Sequence, residues 1–508
     1  MRKAYLFLII TLFFGLGNGS NILVLFPMGS HSHFTLGFRL AKGLADRGHN
    51  VTFISPYPQK TRIKNLREIS VEEIMEFFNV RKMEYFKLGK MSYLDLLYFS
   101  NRGGVISTEM ALRNRKVQEL LHSDEKFDLV LYENFWNEAF MVFAHKFNCP
   151  LVILAPLHAN IFINYFFSNP HPSSYIPNPF SCFSAPMTFW QRMVNTFYDI
   201  VAEIFVYNVM LPSQDAVLKR VLPNAPDLEN IIYNSSLILL ISHPSFTDPV
   251  SLPPTIKQIG GYHVSPPKPL PNKIQKFLDG AKDGAIIFSM GSNLNSSLIP
   301  KDKKDAIIRV FSRMKQRILW KCEETLPGTS QNVKLLKWIP QQDVLAHPNV
   351  ILFVSHVGLL GMTEAVYHAV PILGLPVMWD QEINIDNAVR RGFALKISFS
   401  ELNEENFAWA LNELVNDPKY RQNAKMRSTI LHDQPMKPLD EGIYWIEYVI
   451  RHKGAHHLRS IATDLKWYQR YLLDVTMFVL LAISILILTV YIICRNIFGG
   501  KSIKNKKE

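Results

Sequence analysis

Between Trp338 and Gln381 the chain reads WIPQQDVLAHPNVILFVSHVGLLGMTEAVYHAVPILGLPVMWDQ, an order of residues that few folds accommodate. An apolar, β-branched run from Val350 to Val354 leads into a turn holding Ser355, His356 and Gly358. A short helical pattern to His368 follows, then a second apolar run from Pro371 to Pro376, then Asp380-Gln381. Strand, loop, helix, strand, loop is a parallel α/β unit, and in open α/β sheets ligands bind at the carboxyl ends of the strands. A helix starting just past Ser355-His356 offers unpaired N–H groups and a positive dipole end to a phosphate. Glu364 stands where a carboxylate can accept from ribose hydroxyls, Trp338 offers a flat face to a base, and Asp380 and Gln381 offer partners for a second polyol. Base, ribose, diphosphate and sugar together spell a sugar nucleotide.

The same stretch closely resembles the signature of the UDP-glycosyltransferases, glycosyltransferase family 1, through Trp338, Pro340, Gln341, Ser355, His356, Gly358, Glu364, Pro371, Gly374, Asp380 and Gln381 among others. Two positions depart from it. Val357 replaces the first glycine of the usual His-Gly-Gly, so its methyls are expected to crowd a phosphate, and Trp379 stands where a small residue is common. The resemblance implies the α/β GT-B fold, two facing Rossmann-like domains with parallel sheets, the acceptor bound by the first and the UDP-sugar by the second.

The pattern along the chain accommodates that architecture. Ile22 to Phe26 is a short apolar run, followed by a Gly/Ser/His loop, a helix with Leu36, Leu40 and Leu44 on one face, and a strand from Val51 to Ile54. Further strands are expected at Leu129 to Tyr132, Leu151 to Leu154 and Leu237 to Ile241, placing a first α/β domain at residues 20–243. Eight prolines between Pro244 and Pro271 mark a linker, 244–273. A second α/β pattern over 274–440 begins with Ala285 to Phe288, and a helical segment at 441–470 crosses back in this family. Residues 187–210 are helical in pattern and more aromatic than one core face needs; an apolar acceptor wall, a membrane-leaning surface and a buried helix all fit.

Sugar transfer to a hydroxyl needs a base for the incoming proton and electrostatic support for the departing diphosphate. His33, in the loop after the first strand and sixteen residues before His49, resembles the family's catalytic histidine; His31 is the local competitor. In the family an aspartate ending a strand pairs with that histidine and holds its tautomer. Here Glu133 occupies the position, its extra methylene shifting the carboxylate by about 1 Å. Glu138 is a weaker alternative. Ser292, in Phe288-Ser289-Met290-Gly291-Ser292, resembles the family's first donor contact and joins Ser355 and His356 around phosphate. No aspartate pair accompanies them to hold a metal, so inverting transfer without a metal or resident cofactor is expected.

The resemblance also bears on the sugar. Family members that transfer glucuronic acid carry an arginine before the Gly-Gly that matches Gly260-Gly261, whereas this chain has no arginine from Val221 to Ile308. A neutral hexose, with UDP-glucose as co-substrate, is therefore expected, on small lipophilic hydroxyl acceptors. The alternative is a lipophile-binding protein with impaired turnover, motivated by Glu133 and Val357.

The formal charge of +12 does not signal nucleic acid, because Arg2, Lys3 and the last fourteen residues carry half of it and no basic stripe remains. Residues 1–19 read as a signal peptide, and 475–494 hold twenty residues without a charge, enough to span a bilayer. The basic tail 495–508, with Lys504 and Lys506 spaced as in dilysine retrieval signals, reads as cytosolic. A single-pass endoplasmic reticulum protein with a lumenal body is expected, its self-association left open. Cys149, Cys182, Cys322 and Cys494 form no metal spacing; a Cys149–Cys182 bridge or a buried Cys149 thiol both fit.

Overall fold

The computed structural model describes residues 19–499 apart from Met83 and Cys182. Residues 1–18 of the expected signal peptide and 500–508 of the basic tail lie outside the described residues. The chain divides into two compact units, one through Leu458 and one from Arg459.

The first unit contains two wholly parallel sheets. Strands β1 (Asn21–Leu25), β2 (Asn50–Ser55), β3 (Leu66–Ser70), β4 (Leu129–Glu133), β5 (Leu151–Ala155), β6 (Ser235–Leu240) and β7 (Ile256–Gln258) form the first, in the order β3-β2-β1-β4-β5-β6-β7. Strands β8 (Ala285–Ser289), β9 (Arg317–Lys321), β10 (Val333–Leu336), β11 (Val350–Ser355), β12 (Ile372–Gly374) and β13 (Ala394–Lys396) form the second, in the order β10-β9-β8-β11-β12-β13. Continuous apolar runs such as Leu129–Glu133 and Ala285–Ser289 are buried along their whole length, as strands covered by helices on both faces must be. The proline-rich segment read as a linker is not all connection, since β7 lies within it and pairs with β6.

Six helices matter below: α1 (His31–Asp46), α2 (Phe189–Phe205), α3 (Leu359–Tyr367), α4 (Gln381–Arg390), α5 (Pro438–Arg451) and α6 (Leu473–Gly499). Helix α1 begins earlier than its apolar periodicity indicates. Ser30, with extended backbone, occupies the N-cap position without a side-chain capping bond, so His33 sits in the first helical turn rather than in a loop. Helix α5 returns to the first sheet's side: Gly43 lies against Ile443, and Arg47 pairs with Asp440 and Glu447. Ser30 Oγ donates to Asn293 between the halves (3.0 Å), and Tyr262, in the segment that follows β7, donates its OH to the carbonyl of Leu36 (3.1 Å).

In the second unit, Leu473–Phe498 is long and apolar enough to cross a membrane by length and composition. Cys149 is a free thiol, pushed up to about 12 by burial.

Candidate active site

Strand order changes direction between β1 and β4 in the first sheet and between β8 and β11 in the second. Loops leaving the strands on either side of such a point diverge and leave a crevice at the carboxyl ends. The chain after β1 carries His33, and β4 ends at Glu133; the loop after β8 carries Ser292, and that after β11 carries His356. Both crevices open into one cavity of about 420 Å³ lined from both halves.

His33 and Glu133 meet there. The imidazole Nδ1 lies 2.6 Å from Glu133 Oε1, so the longer glutamate side chain reaches its partner. Glu133 is fully buried behind the ring and does not itself line the cavity, and Phe135 packs edge-on against His33 at 4.7 Å. A buried carboxylate receiving Nδ1–H fixes the tautomer, leaving Nε2 as the free basic nitrogen. His31 makes no such pair: its ring lies edge-on to Trp338 at 5.0 Å and packs against Tyr57. Glu138 also lines the cavity, but it accepts from Asn134 and is pushed up to about 7 by burial.

Across the cavity, Asp380 accepts from Asn384 Nδ2 (2.7 Å), and burial pushes its carboxyl up to about 6, with that hydrogen bond and the positive field of His33 opposing. The side-chain oxygen of Gln381 accepts from the backbone N–H groups of Val377 and Met378, which locks the loop and leaves only its NH₂ for a ligand. Glu364 accepts from Gln341 Nε2 (2.7 Å) and is pushed up to about 7, again by burial. Trp338 is more than half exposed on the cavity wall. His356 is held down to about 4 by burial and then by Lys321. Its ring lies against Gly291 and Gly358, where a Cβ would come within 2.5 and 2.7 Å of ring atoms. Gly291, with φ of +77°, thus satisfies both a backbone conformation and a close approach that other residues would not.

Two expectations are corrected. Ser355 is not among the side chains lining the cavity: it is buried at the end of β11, and its hydroxyl accepts the N–H of Val357 (3.1 Å), shaping the turn. Val357 does not line the cavity either. Its side chain is wholly buried, one methyl packed where a Cβ on Gly374 would come within 2.8 Å, so the glycine of β12 makes the room. The consequence is backbone strain, a β-branched residue at φ +63°.

The structure adds residues that the motif did not reveal. His263 is buried with neither ring nitrogen hydrogen-bonded to a side chain, its Nε2 lies 3.9 Å from Glu364, and it lines the cavity beside Gln341. Arg39, Asn293 and Lys321 also line it, and Lys321 is paired with Glu323. The only sequence signal for His263 was its place just after Gly260-Gly261. Phe135, Trp136, Leu157, Phe162, Ile163 and Phe180 form an apolar wall on the His33 side.

Residues 35–508 match the family described as UDP-glucoronosyl and UDP-glucosyl transferase. The chain belongs to this family. A UDP-glycosyltransferase of Dactylopius coccus is 36% identical, covering 98% of this chain and 97% of that protein, and a UDP-glucosyltransferase of the same insect is 35% identical over 97% and 96%. A UDP-glucuronosyltransferase of Macaca fascicularis is 30% identical over 98% of each chain. Among solved structures, a UDP-glucose:anthocyanidin 3-O-glucosyltransferase in complex with UDP superposes with a TM-score of 0.54 at 15% identity, covering 86% of this chain and 100% of that one. The fold of this UDP-glycosyltransferase is therefore GT-B, and family membership makes the chain a UDP-dependent glycosyltransferase.

Proposed function

We propose that the enzyme transfers glucose from UDP-glucose to a hydroxyl of small lipophilic acceptors, with inversion and without a resident cofactor. The observation that carries this reading is the His33–Glu133 pair, 2.6 Å apart, placed across one cavity from Asp380. The acceptor hydroxyl lies against the apolar wall, gives its proton to His33 Nε2 and attacks the anomeric carbon. The bond from that carbon to the β-phosphate oxygen breaks, and its electron pair leaves with UDP. Glu133 holds the tautomer and supports the imidazolium that forms. The leaving charge meets Ser292, His356 and the N–H groups at the start of α3, capped by Gly358. Trp338 serves the base, Glu364 with Gln341 and His263 the ribose, and Asp380 with Gln381 the sugar hydroxyls.

Glucose is favoured over glucuronic acid because no unpaired cation among the described residues stands by Asp380. Lys257 is not among the residues lining the cavity and stacks on Trp445 at 3.9 Å, and Lys321, which does line it, is paired with Glu323. Arg39 acts electrostatically on His263, at the ribose end. A carboxylate beside Asp380 would lack the charge-assisted partner worth about 1.5–3 kcal/mol, roughly 10- to 150-fold in kcat/KM. Comparing kcat/KM for the two donors with one phenolic acceptor tests this; preference for UDP-glucuronic acid would overturn it.

The two departures that pointed toward a non-catalytic binder lose their force, since Glu133 reaches His33 and the Val357 side chain lies in the core. For location we propose a lumenal body in the endoplasmic reticulum, anchored by α6, with Arg495 and the lysine-rich tail on the cytosolic side.

A further inference from the structure

Helix α2 is built inside out. Phe189, Trp190, Met193, Val194, Phe197, Ile200 and Ile204 are all exposed, Trp190 by 70% and Phe197 by 61%, and their spacing places them on one stripe about 140° wide. The opposite, buried face carries Asn195 and Asp199. A helix packed on a soluble body normally turns its apolar side inward. Here the polar side is committed to the body. Asn195 accepts from the N–H of Asn178 (2.7 Å) and donates to the carbonyls of Ser173 and Ile176, while Asp199 accepts from Asn178 Nδ2 (2.9 Å). None of the residues Phe189 to Phe205 lines the cavity, so the stripe is not an acceptor wall.

We propose that α2 seats the first domain in the surface of a lipid bilayer. Four observations select lipid as the occupant. The stripe contains no charged side chain, although seven large apolar groups stand in it. Trp190 lies near one end and the exposed Tyr207 just beyond the other, the aromatic types that settle at membrane–water interfaces. The same chain carries the bilayer-length helix α6, which under the location proposed above anchors the body at a membrane. Finally, Phe189–Val221 is itself long and apolar enough to cross, yet Asn195 and Asp199 hold hydrogen bonds within the body that a crossing would break; a helix lying in the interface keeps them and still buries the stripe. The seat bears on catalysis through one loop. Asn178, gripped by α2, precedes Pro179 and Phe180, which form part of the apolar cavity wall.

The test uses the full chain, reconstituted in phosphatidylcholine vesicles containing a lipid with a photoreactive acyl chain, with a protease site inserted between Arg459 and Leu472. After cleavage the body is expected to sediment with the vesicles and to carry photolabel on the peptide containing Phe197. In F197S/I200S/I204S the ratio of bound to free body should fall by more than about 10-fold, since interfacial binding scales with buried apolar area. UDP affinity of that variant reports whether it is folded, and photolabelling of the wild type stands independently of it. A wild-type body that appears in the supernatant after cleavage overturns the proposal. So does a body that sediments unlabelled while W190C cross-links two copies through their α2 helices, which would make the stripe a pairing surface.

Discussion

Donor affinity is expected to rise with pH across neutrality, because Glu364 must be ionised to serve the ribose. Burial pushes its carboxyl up to about 7, only partly opposed by the hydrogen bond from Gln341. A ribose diol donates hydrogen bonds, and a neutral acid has surrendered one acceptor position to its own proton. If only the carboxylate binds, the association constant follows the ionised fraction, roughly 3% at pH 5.5 and 75% at pH 7.5, an increase of about 25-fold. UDP-glucose is the ligand to use, as its diphosphate diester has no proton to lose in this range. Asp380, pushed up to about 6, titrates nearby, so the Glu364→Gln variant is the reference and the ratio of the two association constants isolates Glu364. His263, held down to about 4, stays neutral throughout. The same shift has a stability sign. A carboxyl whose folded pKa is raised keeps its proton after the unfolded chain has lost it, so this group lowers folding stability by roughly 3 kcal/mol as pH climbs from about 4.5 to 7. Donor binding draws the proton off in that window. Isothermal titration calorimetry at constant ionic strength measures the effect, and a wild-type to variant ratio flat within 3-fold from pH 5.5 to 7.5 would refute the reasoning.

His33→Ala should lower kcat by about 10²- to 10⁴-fold while UDP-glucose binding survives, as calorimetry beside a turnover assay would show. Glu133→Gln should lower kcat by at least about 10-fold, and Glu133→Asp should be tolerated better than Glu133→Gln, because it keeps a carboxylate at the buried strand end that faces His33. Asp380→Ala should raise KM for UDP-glucose with UDP affinity nearly unchanged, whereas Glu364→Ala should weaken both; equal effects on UDP would mean the nucleotide is placed in the wrong register. Val357→Gly should leave donor affinity within about 3-fold. Its stability should change by no more than about 1 kcal/mol, because relief of about 1–3 kcal/mol of strain opposes loss of a buried side chain worth about 2 kcal/mol.

That these polar residues would gather was legible because they sit at fixed offsets from continuous apolar strands: Trp338, Gln341, His356, Gly358, Glu364, Asp380 and Gln381 all line the cavity. Short edge strands were not legible. Residues Leu66–Ser70, Ile256–Gln258 and Ala394–Lys396 carry no apolar run, and they are strands because a neighbouring strand supplies their ladder. Ser355 and Val357 were misread for a related reason. A sequence gives position along a turn but not the direction of each side chain, and here one hydroxyl turns back to the backbone and one isopropyl group enters the core.

The sequence alone determined the periodicities, the order of elements and the identity of the polar groups at strand ends, because these depend on spacing along a single chain. What only the tertiary structure decided are the relations between distant segments: Glu133 reaching His33 across 100 positions, His263 and Arg39 entering the cavity, and α2 turning its apolar stripe outward. The stripe shows the physical reason most plainly. Its periodicity is that of any amphipathic helix, and which face ends up inside depends on whether Asn195 and Asp199 find partners such as Asn178, Ser173 and Ile176, which come into place only when the chain folds.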